Sequence, residues 1–334
     1  MIQEAIQKLA NGEDLTNEMV EAVMDEIMSG EASPVHMSAY LIALRMKGET
    51  TDEITASAVG MRKHSLHLNP EADVLEIVGT GGDESNSFNI STTASIVMSA
   101  AGIPVAKHGN RSVSSKCGAA DVLEALGVNI SIKPEKMEAI FKEIGIGFMF
   151  AQIYHSAMKH VGPIRRELAT KTVFNILGPL TNPANANMQL MGVYAENLVE
   201  PMAQVLQNLG VKRGMVVYGQ DGLDEISLSA PTTCCEIQGD KLTSYVLSPK
   251  DFGINPCTKE ALLGGDSKEN AKITKAILNG ELGPKRDAVL INAAACLHFI
   301  KNISFEQGVK MAAQVIDSGK AIAKLNEFIQ ATNA

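Results

Sequence analysis

Tryptophan is absent from the 334 residues, and the other aromatics are only 9 Phe and 5 Tyr. Stacking platforms for single-stranded nucleic acid therefore have little to work with. Cysteine is sparse: Cys117, Cys234, Cys235, Cys257 and Cys296 make an odd number with no C-x-x-C pair. That fits a reducing compartment better than a disulfide framework, and no His/Cys cluster suggests zinc. Long apolar runs are missing. The longest, residues 288–297, contains Asn292 and falls far short of the ~18 residues a membrane span needs. The acidic, amphipathic N-terminus lacks the basic and apolar regions of a secretory signal, so a cytoplasmic location is expected. Positive charge is short overall, with 29 Lys plus Arg against 38 Asp plus Glu and a net charge of −9. This excludes a nucleic-acid binder that relies on overall basicity. What is present is an ordinary globular composition, 45% hydrophobic and 20% charged, at a length where one core tends to become two.

The distribution of charge says more than its sum. Residues 1–84 carry 16 acids and 5 bases (−11), residues 85–195 carry 6 and 10 (+4), and residues 196–334 carry 16 and 14 (−2). Between residues 85 and 120 there is no acid at all. A basic stretch kept inside an acidic chain is a local anion-binding signal.

The first 65 residues read as helices throughout. Met19, Val20, Val23, Met24, Ile27 and Met28 recur at helical spacing before Gly30. Ser33-Pro34 offers an N-cap with proline at the first helical position, and Gly48 closes that helix. Thr50 and Glu53 have capping-box spacing. From Asp73 the rhythm changes. Strands over 74–78, 103–106, 147–150, 189–194 and 214–218 alternate with helices over 92–101, 119–126, 134–144 and 198–209. Such alternation predicts an α/β fold: a small all-helical part plus a larger part with a central, mainly parallel sheet and functional loops at its strand ends. Residues 163–186 interrupt it with short helices and three prolines. Segments 234–238 and 242–247 read as a hairpin, and the tail from Lys268 as mostly helical.

Three loops in or just before the acid-free stretch follow strands or open helices. Gly79-Thr80-Gly81-Gly82-Asp83 lets backbone N–H groups approach an anion without interference from Cβ. It matches neither G-x-G-x-x-G nor a Walker A loop, and alone it is equally consistent with a tight connection. Asn89-Ile90-Ser91-Thr92 opens a helix, offering free N–H groups and hydroxyls, or simply an N-cap. Residues 107–116, KHGNRSVSSK, hold three cations and three serines, which suits a phosphate or diphosphate. Clustered at successive strand ends, the three favour an anion site over a solvated basic loop. Farther along, Asp224-Glu225 is the kind of pair Mg²⁺ takes together with waters and substrate phosphates, although adjacent acids are usually plain surface. Residues 148–166 combine an apolar run, His155 and the paired Arg165-Arg166, with no acid between Glu143 and Glu167. That suits a flat organic acid, or equally a core strand beside surface arginines. Cys117 adjoins Lys116, which would lower its thiol pKa, but no nucleophile constellation surrounds it.

Taken in order, GTGGD, SFNIST, KHGNRSVSS and the Asp224-Glu225 pair resemble the anthranilate phosphoribosyltransferase family, and the likeness extends through NILGPLTNP over essentially the whole chain. The resemblance implies transfer of the phosphoribosyl group of 5-phosphoribosyl 1-diphosphate (PRPP) to the amine of anthranilate, releasing diphosphate, in the second step of tryptophan synthesis. It implies a fold of the nucleoside phosphorylase/phosphoribosyltransferase class II type. Residues 1–70 plus a returning segment near 165–190 would form the helical domain, and 71–164 with 191–334 the α/β domain. It also implies a homodimer through the helical domain. On matching positions, Gly79, Gly82, Asp83, Ser87, Asn89, Ile90, Ser91 and Thr92 would line PRPP. Lys107, His108, Gly109, Asn110, Arg111, Ser112, Val113, Ser114 and Ser115 would wrap its phosphates. Ser91, Asp224 and Glu225 would hold Mg²⁺. Gly79, Asn110 and Arg165 would contact anthranilate, flanked by His108 and His155. Cys117 and Ala119 stand where the family usually has serines, so Ala119 would take part through its backbone N–H. No acid–base residue is implied; catalysis would be positioning and electrostatics, with Lys107 and Arg165 most influential. Two other classes share features. A pyrimidine nucleoside phosphorylase-like enzyme would have the same architecture, but the long basic loop and Asp224-Glu225 favour a Mg²⁺–diphosphate ligand. A non-enzymatic nucleic-acid-binding paralogue would be expected to gain basic surface and lose Asn110 and Arg165.

Overall fold

The computed structural model describes residues 1–112 and 115–334. It opens with α1 (Ile2–Ala10), α2 (Asn17–Ser29), α3 (Pro34–Lys47) and α4 (Thr51–Lys63). Two caps are those expected, Ser33 accepting from the His36 N–H and Thr50 with Glu53 forming a reciprocal capping box, and Thr16 adds a third by accepting from the Met19 N–H. Glu53 is fully buried, yet satisfied by Lys47 at 2.9 Å and the Leu15 N–H at 3.0 Å, which ties α3 and α4 to the α1–α2 connection.

The alternating part follows with β1 (Leu75–Gly79), α5 (Ile90–Ala100), β2 (Val105–Gly109), α6 (Ala119–Leu126), α7 (Pro134–Ile144) and β3 (Ile146–Phe150). Short helices α8 (Ala151–Tyr154), α9 (Gly162–Leu168) and α10 (Phe174–Leu177) precede β4 (Met188–Gly192), α11 (Val199–Asn208) and β5 (Arg213–Gly219). A hairpin of β6 (Thr232–Gln238) and β7 (Lys241–Leu247) leads to α12 (Ser267–Leu278), α13 (Pro284–Lys301), α14 (Phe305–Asp317) and α15 (Lys320–Asn333). The strands form one sheet in the order β3-β2-β1-β4-β5-β6-β7. β1 to β5 run parallel and the hairpin is antiparallel at one edge, so the predicted mainly parallel α/β sheet is present.

One strand boundary changes the reading of the site. The sequence predicts a strand over 103–106 followed by a basic loop, whereas β2 runs through Lys107 and His108, paired with Phe148 and Met149 of β3. Tertiary pairing outweighs their polarity. In consequence their side chains leave on opposite faces of the sheet.

The core is double. One cluster packs α5, α6 and α12–α15 on one face, and the apolar run of residues 288–297 lies buried within α13. The other joins α1–α4 to Val161–Leu180, α11 and the opposite face of β4–β6. The pleat divides β5 accordingly: Met215 and Val217 serve the first cluster and Val216 the second. Among the described residues no single helix is long and apolar enough to cross a membrane. Strand order reverses between β1 and β4, which creates a crevice outside their carboxyl ends, the usual ligand position in such sheets.

Candidate active site

At that crevice β1 and β4 end in register on Gly79 and Gly192. The loop after β5 brings Asp224 directly over both. A Cβ at Gly192 would overlap the Asp224 carbonyl, and a Cβ at Gly79 its carboxylate. Asp224 Oδ2 accepts the Gly81 N–H at 2.7 Å, and Glu225 Oε1 accepts the Ser91 N–H at 3.1 Å. The start of α5, read from sequence as offering free donors, thus has its Ser91 N–H already taken by Glu225. Nearby, Thr80 Oγ1, Asp83 Oδ2 and Thr92 Oγ1 are buried with no hydrogen-bond partner among the described residues.

Lys107 enters the same side from β2. Its Nζ donates to the Ile77 carbonyl at 2.6 Å and reaches Ser91 Oγ at 3.5 Å. Burial pushes the ammonium down, opposed by the Glu76, Glu225 and Asp224 carboxylates. Burial pushes Asp224 up, and Asp83 and Glu225 add like-charge repulsion; Glu225 is raised chiefly by burial against the pull of Lys107. Acids that crowd one another out of water are what a divalent cation would relieve. Among the described residues no three His, Cys, Asp or Glu side chains converge to enclose a metal. Two carboxylates with a hydroxyl nearby are a donor set that would suit Mg²⁺, which takes few protein ligands and completes its coordination with water and substrate oxygens.

The basic loop is shaped by an acid outside it. Asp121 Oδ2 accepts the N–H groups of both Ser112 and Gly118 at 2.9 Å. The Arg111 guanidinium pairs with Asp121 at 3.0 Å and Glu124 at 2.8 Å, 5.6 Å over the Phe150 ring. Of the three cations in 107–116, only Lys107 is buried among the acids; Arg111 is engaged by α6, and Lys116 is exposed. Asn110 and Ser115 are exposed, Ser87 is half-buried and bridged to Leu263, and Ile90 is core. Ala119 opens α6 close against Gly109. Asn89 is fixed by Cys117 O at 3.1 Å and Asn270 at 2.9 Å. Val113 and Ser114 lie outside the described residues. The Cys117 thiol is not activated as its neighbour Lys116 suggests: burial pushes it up to about 11.

On the opposite face, His108 and His155 stand with ring centroids 4.9 Å apart. His108 Nδ1 lies 3.2 Å from the Gly178 carbonyl and His155 Nε2 3.1 Å from that of Thr181, so both nitrogens donate. Asn182 Nδ2 donates to Ala106 O and Gln189 Nε2 to Pro179 O, each at 2.8 Å, pinning this segment to the sheet. Arg165 on α9 is partly buried, 5.7 Å over the Phe174 ring, and burial lowers its pKa. Among the described residues it has no carboxylate within 4.0 Å. A desolvated guanidinium without a counter-charge suits the carboxylate of a ligand.

Two family models cover the chain: a glycosyl transferase helical bundle domain over residues 3–65 and a glycosyl transferase a/b domain over residues 71–322. The anthranilate phosphoribosyltransferase of Lachnoclostridium phytofermentans is 64% identical over 334 residues, covering 100% of this chain and 99% of that one. The chain belongs to the anthranilate phosphoribosyltransferase family. The solved enzyme from Thermus thermophilus superposes with a TM-score of 0.93 at 42% identity, covering 99% of each chain. That from Saccharomyces cerevisiae, in complex with PRPP and Mg, gives 0.93 at 29% identity over 99% of this chain and 98% of that one. The yeast enzyme has also been solved with 4-fluoroanthranilate. This phosphoribosyltransferase is therefore a pentosyltransferase of tryptophan biosynthesis, not a nucleoside phosphorylase or a nucleic-acid-binding paralogue.

Sequence reasoning missed two parts of the phosphoribosyltransferase site. Glu76 is fully buried beneath it, accepting the His108 N–H at 3.1 Å, and burial pushes its carboxyl up. As one acid in an apolar strand it carried no signal beyond that oddity. Gly192, a lone glycine in LMGVY, carried none. Gly192→Ala is expected to displace Asp224 and lower kcat/KM by about a hundredfold. Steady-state kinetics on folded variant, checked by circular dichroism, measure this.

His155 also makes a pH prediction. Burial holds it down to about 4 against 6.5. The folded state therefore binds fewer protons, and stability is lost as pH falls through that interval. About 2 kcal/mol should disappear between about pH 6.5 and about pH 5. Urea unfolding at both pH values should show a flatter dependence for His155→Asn; an unchanged slope would refute the assignment.

Proposed function

We propose that PRPP occupies the crevice between β1 and β4, and anthranilate the side bearing Arg165. The reading is carried by one juxtaposition. Lys107 and the Asp224-Glu225 pair lie on one face of the strand ends, and a guanidinium unpaired among the described residues, with two neutral histidines, lies toward the other. Gly79, Gly82, Asp83, Ser87, Asn89, Ser91 and Thr92 line the PRPP side, Ile90 through its backbone, with Lys107 and Gly109 at the end of β2 and, beyond it, Asn110, Arg111, Ser112 and Ser115, and Ala119 contributes its N–H. Asp224, Glu225 and the Ser91 hydroxyl hold Mg²⁺, which when bound screens the charge of the diphosphate. Arg165 orients the anthranilate carboxylate, with Gly79 and Asn110 beside the amine. His108 and His155, kept neutral by burial, add no cation to compete for that carboxylate.

Reaction then needs little from titrating side chains. The neutral amine nitrogen bonds to ribose C1 while the bond from C1 to the diphosphate oxygen breaks, and the new ammonium loses its proton to solvent. Lys107 stays in place as charge builds on the leaving group, held by the Ile77 carbonyl. Arg111 acts through the loop it ties to α6. Residues 1–70 with the segment near 165–190 form the helical domain, and 71–164 with 191–334 the α/β domain. A homodimer through the helical domain is supported by Val35 and Met46 of α3, 75% and 82% exposed. Five free cysteines support the cytoplasm. Loss of anthranilate fluorescence on adding PRPP should require Mg²⁺; a signal indifferent to Mg²⁺ would overturn the metal assignment, and no signal the function.

A further inference from the structure

Lys171 lies between α9 and α10, six residues beyond Arg165. Its backbone carbonyl accepts a hydrogen bond from Arg45 Nη1 of α3. Its side chain runs the other way, toward the strand ends. The ammonium sits 3.6 Å from the centroid of the Tyr194 ring, just past β4, and donates to the Gly82 carbonyl at 3.4 Å. Among the described residues this is the one hydrogen bond that residues 1–70 and 151–186 make to residues 80–89. The loop's other anchors belong to the sheet side: Thr80 N–H to Gly192 O at 3.0 Å, Gly81 N–H to Asp224 at 2.7 Å, and Phe88 N–H to Leu262 O at 3.1 Å. From Asn86 the loop is anchored again, its carbonyl accepting the Gly264 N–H at 2.9 Å and Ser87 bridging to Leu263; among the described residues the backbone from Gly82 to Ser85 has no other bond to the rest of the protein. Gly81 and Gly82 both take left-handed conformations, φ +68° and +73°, in which glycine pays no side-chain penalty but brings no stiffness either.

We propose that Lys171 is a positioning residue that latches the glycine loop to the segment carrying Arg165. One lysine then spans both halves of the site: its backbone is fixed to α3, and its ammonium rests over Tyr194 and holds the Gly82 carbonyl. The aromatic ring favours a cation at this point and limits where the ammonium can reach, which makes the contact to Gly82 specific. The effect on catalysis rests on the assignment of the glycine loop to PRPP; the latch itself does not.

The test uses the full chain and two readouts. Lys171→Met keeps an unbranched side chain of similar length and removes the ammonium, while Lys171→Arg keeps a cationic donor. In the ligand-free protein, Lys171→Met should speed hydrogen exchange of the amides from Gly81 to Phe88 by about fivefold with the thermal midpoint nearly unchanged. Tyr194→Leu, which removes the ring and keeps the ammonium, should speed the same amides. In kinetics Lys171→Met should raise the KM for PRPP by about fivefold, leave kcat and the KM for anthranilate nearly unchanged, and be rescued by Lys171→Arg. Unchanged exchange of these amides in Lys171→Met overturns the latch. Faster exchange with an unchanged PRPP KM supports the latch and overturns the placement of PRPP on this loop instead.

Discussion

Arg165→Ala should raise the KM for anthranilate on the order of a hundredfold while the KM for PRPP stays nearly constant. The size follows from where the guanidinium is. It is partly out of water, rests on Phe174 and has no carboxylate partner among the described residues. Its pairing with a substrate carboxylate therefore replaces lost hydration and is not screened as a surface pair would be. The asymmetry between substrates follows from the fold: α9 packs with the helical cluster, on the far side of the crevice from Lys107 and Asp224. Initial rates followed by anthranilate fluorescence at saturating PRPP, then at saturating anthranilate, give both constants. Equal rises in the two would show that Arg165 does not distinguish the substrates.

The second large effect belongs to Asp224→Asn combined with Glu225→Gln. The double variant should lose on the order of a thousandfold in kcat/KM and its dependence on Mg²⁺. It should keep its fold, because each amide oxygen can still accept the backbone N–H that the carboxylate accepts, from Gly81 and from Ser91. Relief of the repulsion beside Asp83 is offset by the counter-charges the buried Lys107 ammonium loses, so the thermal midpoint of the ligand-free protein should stay nearly unchanged. Stability kept while activity is lost separates metal binding from a structural role. A variant that melts early, or one that retains Mg²⁺ dependence, contradicts it.

Much of this was legible in the chain. The helix starts at Ser33 and Thr50 were readable because a cap is a contact between residues three apart. The anion site was readable because glycines, hydroxyls and the absence of acids over residues 85–120 are all local facts. The charge distribution even separated the acidic helical end from the site. Other features resisted for equally physical reasons. Lys107 and His108 read as one basic loop, and only their pairing with β3 sends them to opposite faces. Arg111 read as a phosphate ligand, and only the position of α6 supplies Asp121 and Glu124 to engage it. Cys117 read as activated, and only burial decides that it is not.

By itself, then, the sequence determined the helical opening, the strand–helix alternation and which short segments have the chemistry to hold an anion, since each depends on neighbours within a turn or a pleat. Tertiary structure alone decided which of them meet. Glu225 caps Ser91 from 134 residues away, Asp224 fits only because Gly79 and Gly192 have no side chains, and Lys171 reaches Gly82 across 89 residues. Contacts of that range are set by how the sheet is wound and what its two faces bury, and no local pattern encodes them.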